Sequence, residues 1–409
     1  MKSTSFFTRT VLLLVALSLL VAPVAAQDTP VEISLWTWTA NKQEVYQSWI
    51  DQYTAEFAPN TTITINLIPR ANYDQTLNAA LIAGQIPDFW EALPLGEVLN
   101  FYNNELILDL TPFVDDEWKE ALYPSSIEYL TIDGKILSMS MATNNVQMLY
   151  NKDRFEELGI EVPETMDELL EAIRALKAAG YGGAAYWASA NDHAATLFFN
   201  WGQQLYPEQF RAADMDEAPW DVPELLEVVT KAAEYDEIWV EGVTALSVDE
   251  ANSLFANGDI SVWMIGNWAV NAILGFNPEF EVGVAPIPAL MEGTRPAGMG
   301  SMAGTWVISA TTPHQELLVD FFRWVTLNAQ DELVSVVGLC PAGPAGEEGI
   351  PDANYVTQLL CAGQADSVPR DIFDRAARDA MASTIQGVIT GRANRSEEHT
   401  SELQSLTNL

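Results

Sequence analysis

The chain is poor in cations. Over 409 residues, 19 Lys and Arg stand against 57 Asp and Glu, a formal net charge of −38. Recognition of nucleic acid or another polyphosphate needs clustered Lys and Arg, so partners of that kind are excluded. The same shortage argues against a peripheral protein held on anionic lipid. Three His and two Cys are too few to suggest a His/Cys metal site, and no cofactor motif is present. Long apolar runs are confined to one stretch near the N-terminus. The surplus is aromatic: 13 Trp, with Trp36, Trp38, Trp187, Trp201, Trp263 and Trp268 near the ends of expected elements. Most tryptophans are core residues, but one at a cleft mouth can carry a ligand. With 48% hydrophobic residues the chain can bury a core, and its length suggests two domains.

Both ends read as lying outside the fold. Lys2 and Arg9 precede an apolar run over 11–21, and Val24, Ala25 and Ala26 supply small residues before Gln27. That is the pattern of a secretory signal peptide over 1–26. The run is shorter than the ~20 residues a bilayer span needs; an uncleaved anchor is the alternative. At the other end, 395–405 reads RSEEHTSELQS, which matches the in-frame translation of a common sequencing adapter. The expectation is that 395–409 is not native sequence. The segment 27–394 carries the same −38, because two cations before it offset a net two anions after it. Export makes a disulfide between Cys340 and Cys361 the default; two buried free thiols are the alternative.

Periodicity predicts strands over 31–36, 62–68 and 87–90, alternating with helices over 42–57 and 73–83. This is an α/β pattern with a mostly parallel sheet, whose ligands tend to sit outside the carboxyl ends of strands. A second α/β stretch begins near 149. Its clearest helix runs over 165–180, with Thr165 and Glu168 as a capping box and Gly180 as the stop. Further strands are expected over 260–265, 280–285 and 305–309, with helices over 223–235 and 313–327. No flexible linker separates two halves, so two domains would be joined by several chain crossings.

Six phrases in order are AALIAGQIPDFW (79–90), LILDLTPF (106–113), DGKILSMSM (133–141), LYNKDRFEELGIEVPETMDELL (149–170), FANGDISVWMIGNW (255–268) and GTWVISATTPHQELLVDFFRWV (304–325). Together they resemble the family 1 extracellular solute-binding proteins, the sugar-type receptors of ABC importers to which the maltodextrin-binding protein belongs. One departure is Met166, where the family usually has an aromatic. The resemblance implies an α/β, two-lobed periplasmic-binding-protein fold of type II with a multiple-crossover hinge. It places one lobe at 27–142 plus 298–335 and the other at 143–297 plus 336–394, with crossings near 142–145, 298–301 and 334–338. It further implies a non-catalytic monomer in the periplasm or on the outer face of a bacterial membrane. Its partners would be a small-molecule carbohydrate and the importer's permease subunits.

Carried over position by position, the resemblance implies ligand contacts at Trp36, Trp38, Asn41 and Lys42 after the first strand. It implies others at Glu91 after PDFW, Asn144 at the first crossing, and Trp187 from the second lobe. Trp268 matches the stacking residue of Gly-x-Trp, with Asn267 beside it, and Ser301 and Met302 lie at the second crossing. The chemistry agrees, since aromatic rings cover sugar C–H faces while amides and carboxylates bond the hydroxyls. Each of these residues could instead be packing or loop surface; Trp201 and Trp263 are read as core, and His193 as rim or surface. Two other functions stay open. A secreted glycoside hydrolase needs two opposed carboxylates, of which only Glu91 is anchored in a motif. The same fold could also bind a cation such as a polyamine, which the negative field would suit.

Overall fold

The structure is a computed structural model. It describes residues 30–92, 96–186, 195–214, 217–343, 355–362 and 367–369. The signal-like segment, Trp187, His193 and the adapter-like tail lie outside the described residues.

The described residues form the strands β1 (Val31–Thr37), β2 (Thr61–Leu67), β3 (Phe89–Ala92), β4 (Thr131–Ile132), β5 (Lys135–Ile136), β6 (Ala142–Asn151), β7 (Ala184–Tyr186), β8 (Val262–Gly266), β9 (Val282–Ala285), β10 (Met299–Met302), β11 (Thr305–Ile308), β12 (Cys340–Pro341) and β13 (Val368–Pro369). The first sheet has the order β11-β3-β1-β2. β1 is parallel to both β2 and β3, whereas β11 returns antiparallel. Strand alternation sorts its side chains into two apolar layers. Phe89, Trp306 and Ile308 face one layer with the helix Gln43–Phe57, while Trp90 and Val307 face the other with the helix Arg70–Ile82. β2 is an edge strand, which explains why Leu67 is exposed despite its alternating pattern.

The second sheet has the order β13-β10-β6-β8-β7, with β9 and β12 also pairing with β6. Its central strand runs against most of its neighbours: β8, β9, β10 and β12 are all antiparallel to β6. The reason is that β6 is itself a crossing, ten residues long, which leaves the first lobe and forms the spine of the second. The helix Met166–Ala178 packs on this lobe, with the Thr165–Glu168 capping box formed and Met166, Leu169, Ile173 and Leu176 buried.

Core membership locates the crossings. Ala142 packs in the first lobe and Val146 in the second. Met299 packs in the second lobe and Met302 in the first, so the second passage between the two cores falls within β10. The return expected at 335/336 lies later. Val337, Leu339 and Ala342 pack in the first lobe, and Val356 and Leu360 in the second. The helix Gln330–Val337 belongs with the first lobe, where Ser48 Oγ bonds Glu332 Oε1 at 2.9 Å.

Cys340 and Cys361 are disulfide-bonded, with Cα atoms 5.3 Å apart. The bond ties β12, at the waist, to the second-lobe helix Tyr355–Ala362. Replacing both cysteines by serine should cost up to about 3 kcal/mol for a loop of this length. Urea denaturation tests this; a midpoint unmoved by the double substitution, or by reductant acting on the parent chain, would contradict it.

Candidate ligand-binding site

β1 and β3 lie side by side with Trp36 level with Trp90, so their carboxyl ends open to the same side. There Glu91 is fully buried. Its Oε1 accepts from Lys42 Nζ at 3.0 Å, and its Oε2 from the Thr39 hydroxyl at 2.6 Å and from the Thr37 hydroxyl. Lys42 Nζ also donates to the Ala303 carbonyl at 2.8 Å. Buried charges persist only when paired and hydrogen-bonded, and these are. Gly304 follows at φ +69°, and a Cβ there would sit 2.1 Å from Glu91 Oε1. Only glycine lets this third segment approach. Beneath them the Tyr73 hydroxyl donates to the carbonyls of Glu91 (2.6 Å) and Trp36 (3.2 Å). Burial, and then the Glu91 charge, hold the Tyr46 and Tyr73 phenols above their ordinary range, so both stay protonated.

Glu91 and Lys42 are therefore corrected as ligand contacts. Both are buried and spend their polar atoms on each other, on the Thr37 and Thr39 hydroxyls and on the Ala303 carbonyl. Asn41 is exposed in the short turn Ala40–Lys42. Trp36 and Trp38 are half-buried against the apolar layer that holds Trp90. Trp38 meets Tyr73 edge-on at 4.8 Å, and the Arg70 guanidinium lies 5.0 Å from its ring.

At the waist Asn144 on β6 is directly opposite Ser301 on β10, and both are half-exposed. They make one polar rung. Met302, one residue on, is buried in the first-lobe core and cannot reach a ligand. Asn267 is also corrected, because it is fully buried. It accepts from the Asn145 N–H (3.1 Å) and donates to the Thr143 carbonyl (3.1 Å) and Cys340 Sγ (3.4 Å). It clamps β6 to β12. Trp268 is half-buried and packs against the apolar clusters of both lobes. Its ring covers Gly266, where a Cβ would lie 1.8 Å from the ring. Trp201 and Trp263 are core, each donating its indole N–H to a buried oxygen. Sequence reading missed Thr37, Thr39 and Tyr73, which hold Glu91 and the β1 end; nothing in their own spacing marks them.

Two α/β lobes joined at a triple crossing, with aromatic and amide groups at the waist, define a two-lobed binding protein. The chain belongs to the bacterial extracellular solute-binding proteins, whose family model matches residues 39–332, more than half of its length. It is 22% identical over 376 residues to the multiple sugar-binding protein of Streptococcus mutans, covering 81% of this chain and 82% of that one. It is 23% identical over 292 residues to the melibiose/raffinose/stachyose-binding protein MelE of Bacillus subtilis, covering 67% and 65%. The structure of the solute-binding protein RafE in complex with raffinose superposes with a TM-score of 0.75 at 20% identity, covering 92% of this chain and 99% of that one.

Cutting the buried pair on one side leaves an uncompensated charge. Lys42→Met should cost about 3–5 kcal/mol of stability. Urea unfolding measures it, and a loss below about 1 kcal/mol would mean the pair does not hold the loop.

Proposed function

We propose that this protein captures a carbohydrate at the waist between its lobes and delivers it to the permease of an ABC importer. The observation that carries this reading is Trp268, half-buried yet in contact with the apolar cores of both lobes. A ring so placed offers an apolar face to a sugar, and the Asn144–Ser301 rung offers hydrogen bonds nearby. A ligand that touches both lobes favours the arrangement in which they close on it. The relatives named for melibiose, raffinose and stachyose and for multiple sugars, and the raffinose complex of similar fold, support a sugar over other solutes. We further propose that the mature chain is exported, acts as a monomer and catalyses nothing. Glu91, the carboxylate at the strand ends, is committed to Lys42, which weighs against hydrolysis by a carboxylate pair.

The net charge of −38 keeps a cationic ligand as the competing reading. Calorimetry against raffinose, maltotriose, xylotriose and chitotriose on one side, and spermidine on the other, separates the two. Binding of spermidine alone would overturn the sugar reading, and turnover of an oligosaccharide would overturn the non-catalytic one. Trp268→Ala should weaken sugar binding by more than about 1 kcal/mol through lost stacking area; unchanged affinity would remove Trp268 from the site.

A further inference from the structure

Beside Trp268 lies a small, half-open pocket with room for one water-sized group. Trp268 forms one wall, Val146, Leu197 and Met264 supply apolar wall, and Tyr186 and Thr196 are its polar members. Tyr186 ends β7, level with Met264 of β8. Thr196 opens the helix Thr196–Leu205. The two residues are 3% and 4% exposed, and neither hydroxyl has a hydrogen-bond partner among the described residues.

That combination is costly, because buried hydroxyls are paired in nearly all folded proteins. Neither can relieve itself locally. The Tyr186 ring is held against Trp239, with ring centroids 4.7 Å apart. Thr196 is the first residue of its helix, and its hydroxyl caps no backbone group among the described residues. Burial pushes the Tyr186 phenol above its ordinary range, so it stays neutral.

We propose that the Tyr186 and Thr196 hydroxyls form a one-group polar subsite beside Trp268 that takes a neutral hydroxyl-bearing substituent of the bound ligand. None of the described lining residues is charged, so they offer an ammonium or a carboxylate no counter-charge. A hydroxyl both donates and accepts, and so complements two groups that do the same. A sugar resting on Trp268 would place one hydroxyl into the pocket, whose wall both residues line. The inference rests on the carbohydrate reading above and deepens it by naming two residues that set specificity.

The test is calorimetry of the parent chain, Tyr186→Phe and Thr196→Val against raffinose, maltotriose, xylotriose and chitotriose, with thermal melts alongside. Each substitution removes one hydroxyl and keeps the shape. The expected result is a loss of about 5- to 10-fold in affinity per variant for the sugar that binds the parent chain, with Tm held or raised, since an unpaired buried hydroxyl is removed. Binding by the parent with unchanged affinity in both variants would assign the pocket to an internal water only, and would overturn the subsite while leaving the function standing. A fall in Tm with unchanged affinity would make the hydroxyls structural and also overturn it. Absence of binding by the parent chain to every sugar would overturn the carbohydrate reading and this inference with it.

Discussion

A chain that crosses three times between two lobes must bury polar backbone where apolar packing is thinnest. An unpaired amide there costs as much as a lost hydrogen bond. In this protein side-chain amides meet that demand. Asn145 Nδ2 and Gln147 Nε2 both donate to the Leu360 carbonyl, at 2.9 and 3.1 Å. Asn200 Nδ2 donates to the carbonyls of Ala297 and Gly298 just before β10. Asn267 bonds the backbone of β6 on one side and Cys340 on the other. All four residues are 3% exposed or less. Each links the first or second crossing, or β12, to a second-lobe element, so the waist is a bonded network and not a loose joint. Trp268 inherits its position from this network, because it follows Asn267 directly.

The Glu91 carboxylate does comparable work in the first lobe. It gathers the end of β3, the loop from Thr37 to Lys42, and the segment at Ala303 and Gly304 that follows β10. Those segments are distant in sequence, and the carboxylate ties them together just beyond the pairing of β3 with β1 and β11. The link from Lys42 to the Ala303 carbonyl runs between a candidate binding loop and the second crossing. One buried cation thus joins the loop to the residue that follows β10. Tyr73 fixes the same corner from below by holding the carbonyls of both Trp36 and Glu91.

Much of the fold was legible because its local signals are strong. The capping box at Thr165 and Glu168 predicts the start of its helix, and alternation marks β1 before any partner strand is known. The antiparallel character of the second sheet was not legible, since the direction of β6 follows from where the chain has come from and not from its own residues. The candidate site divides in the same way. Trp268 packs against the apolar clusters of both lobes, and its ring can come this close to the strand only because residue 266 is glycine. Lys42, Glu91 and Asn267 were misread for one reason. A polar residue at a strand end looks the same in sequence whether it faces a ligand or is spent on buried neighbours. Met302 failed more simply, since one step along a strand turns a side chain from solvent to core. Tyr186 and Thr196 carry no sequence signal at all; only their burial without partners marks them.

The placement of charge separates the acidity of the chain from the chemistry of its waist. Paired cations such as Arg174 with Glu237, Lys231 with Glu234 and Arg323 with Asp115 sit at the surface, where water and salt screen them. At physiological ionic strength that screening acts over about 8 Å. The groups at the waist are of another kind. Asn144, Ser301, Trp268, Tyr186 and Thr196 are uncharged, and the charges of Lys42 and Glu91 cancel at 3.0 Å. A cation drawn in by the field of −38 would meet amides, hydroxyls and an indole there, and its own desolvation would be poorly repaid. A polyol loses less on leaving water and regains its hydrogen bonds from such groups one for one. On the reading proposed above, the acidity that argues against polyphosphate partners acts as a general field, and selection of the ligand is assigned to these neutral groups.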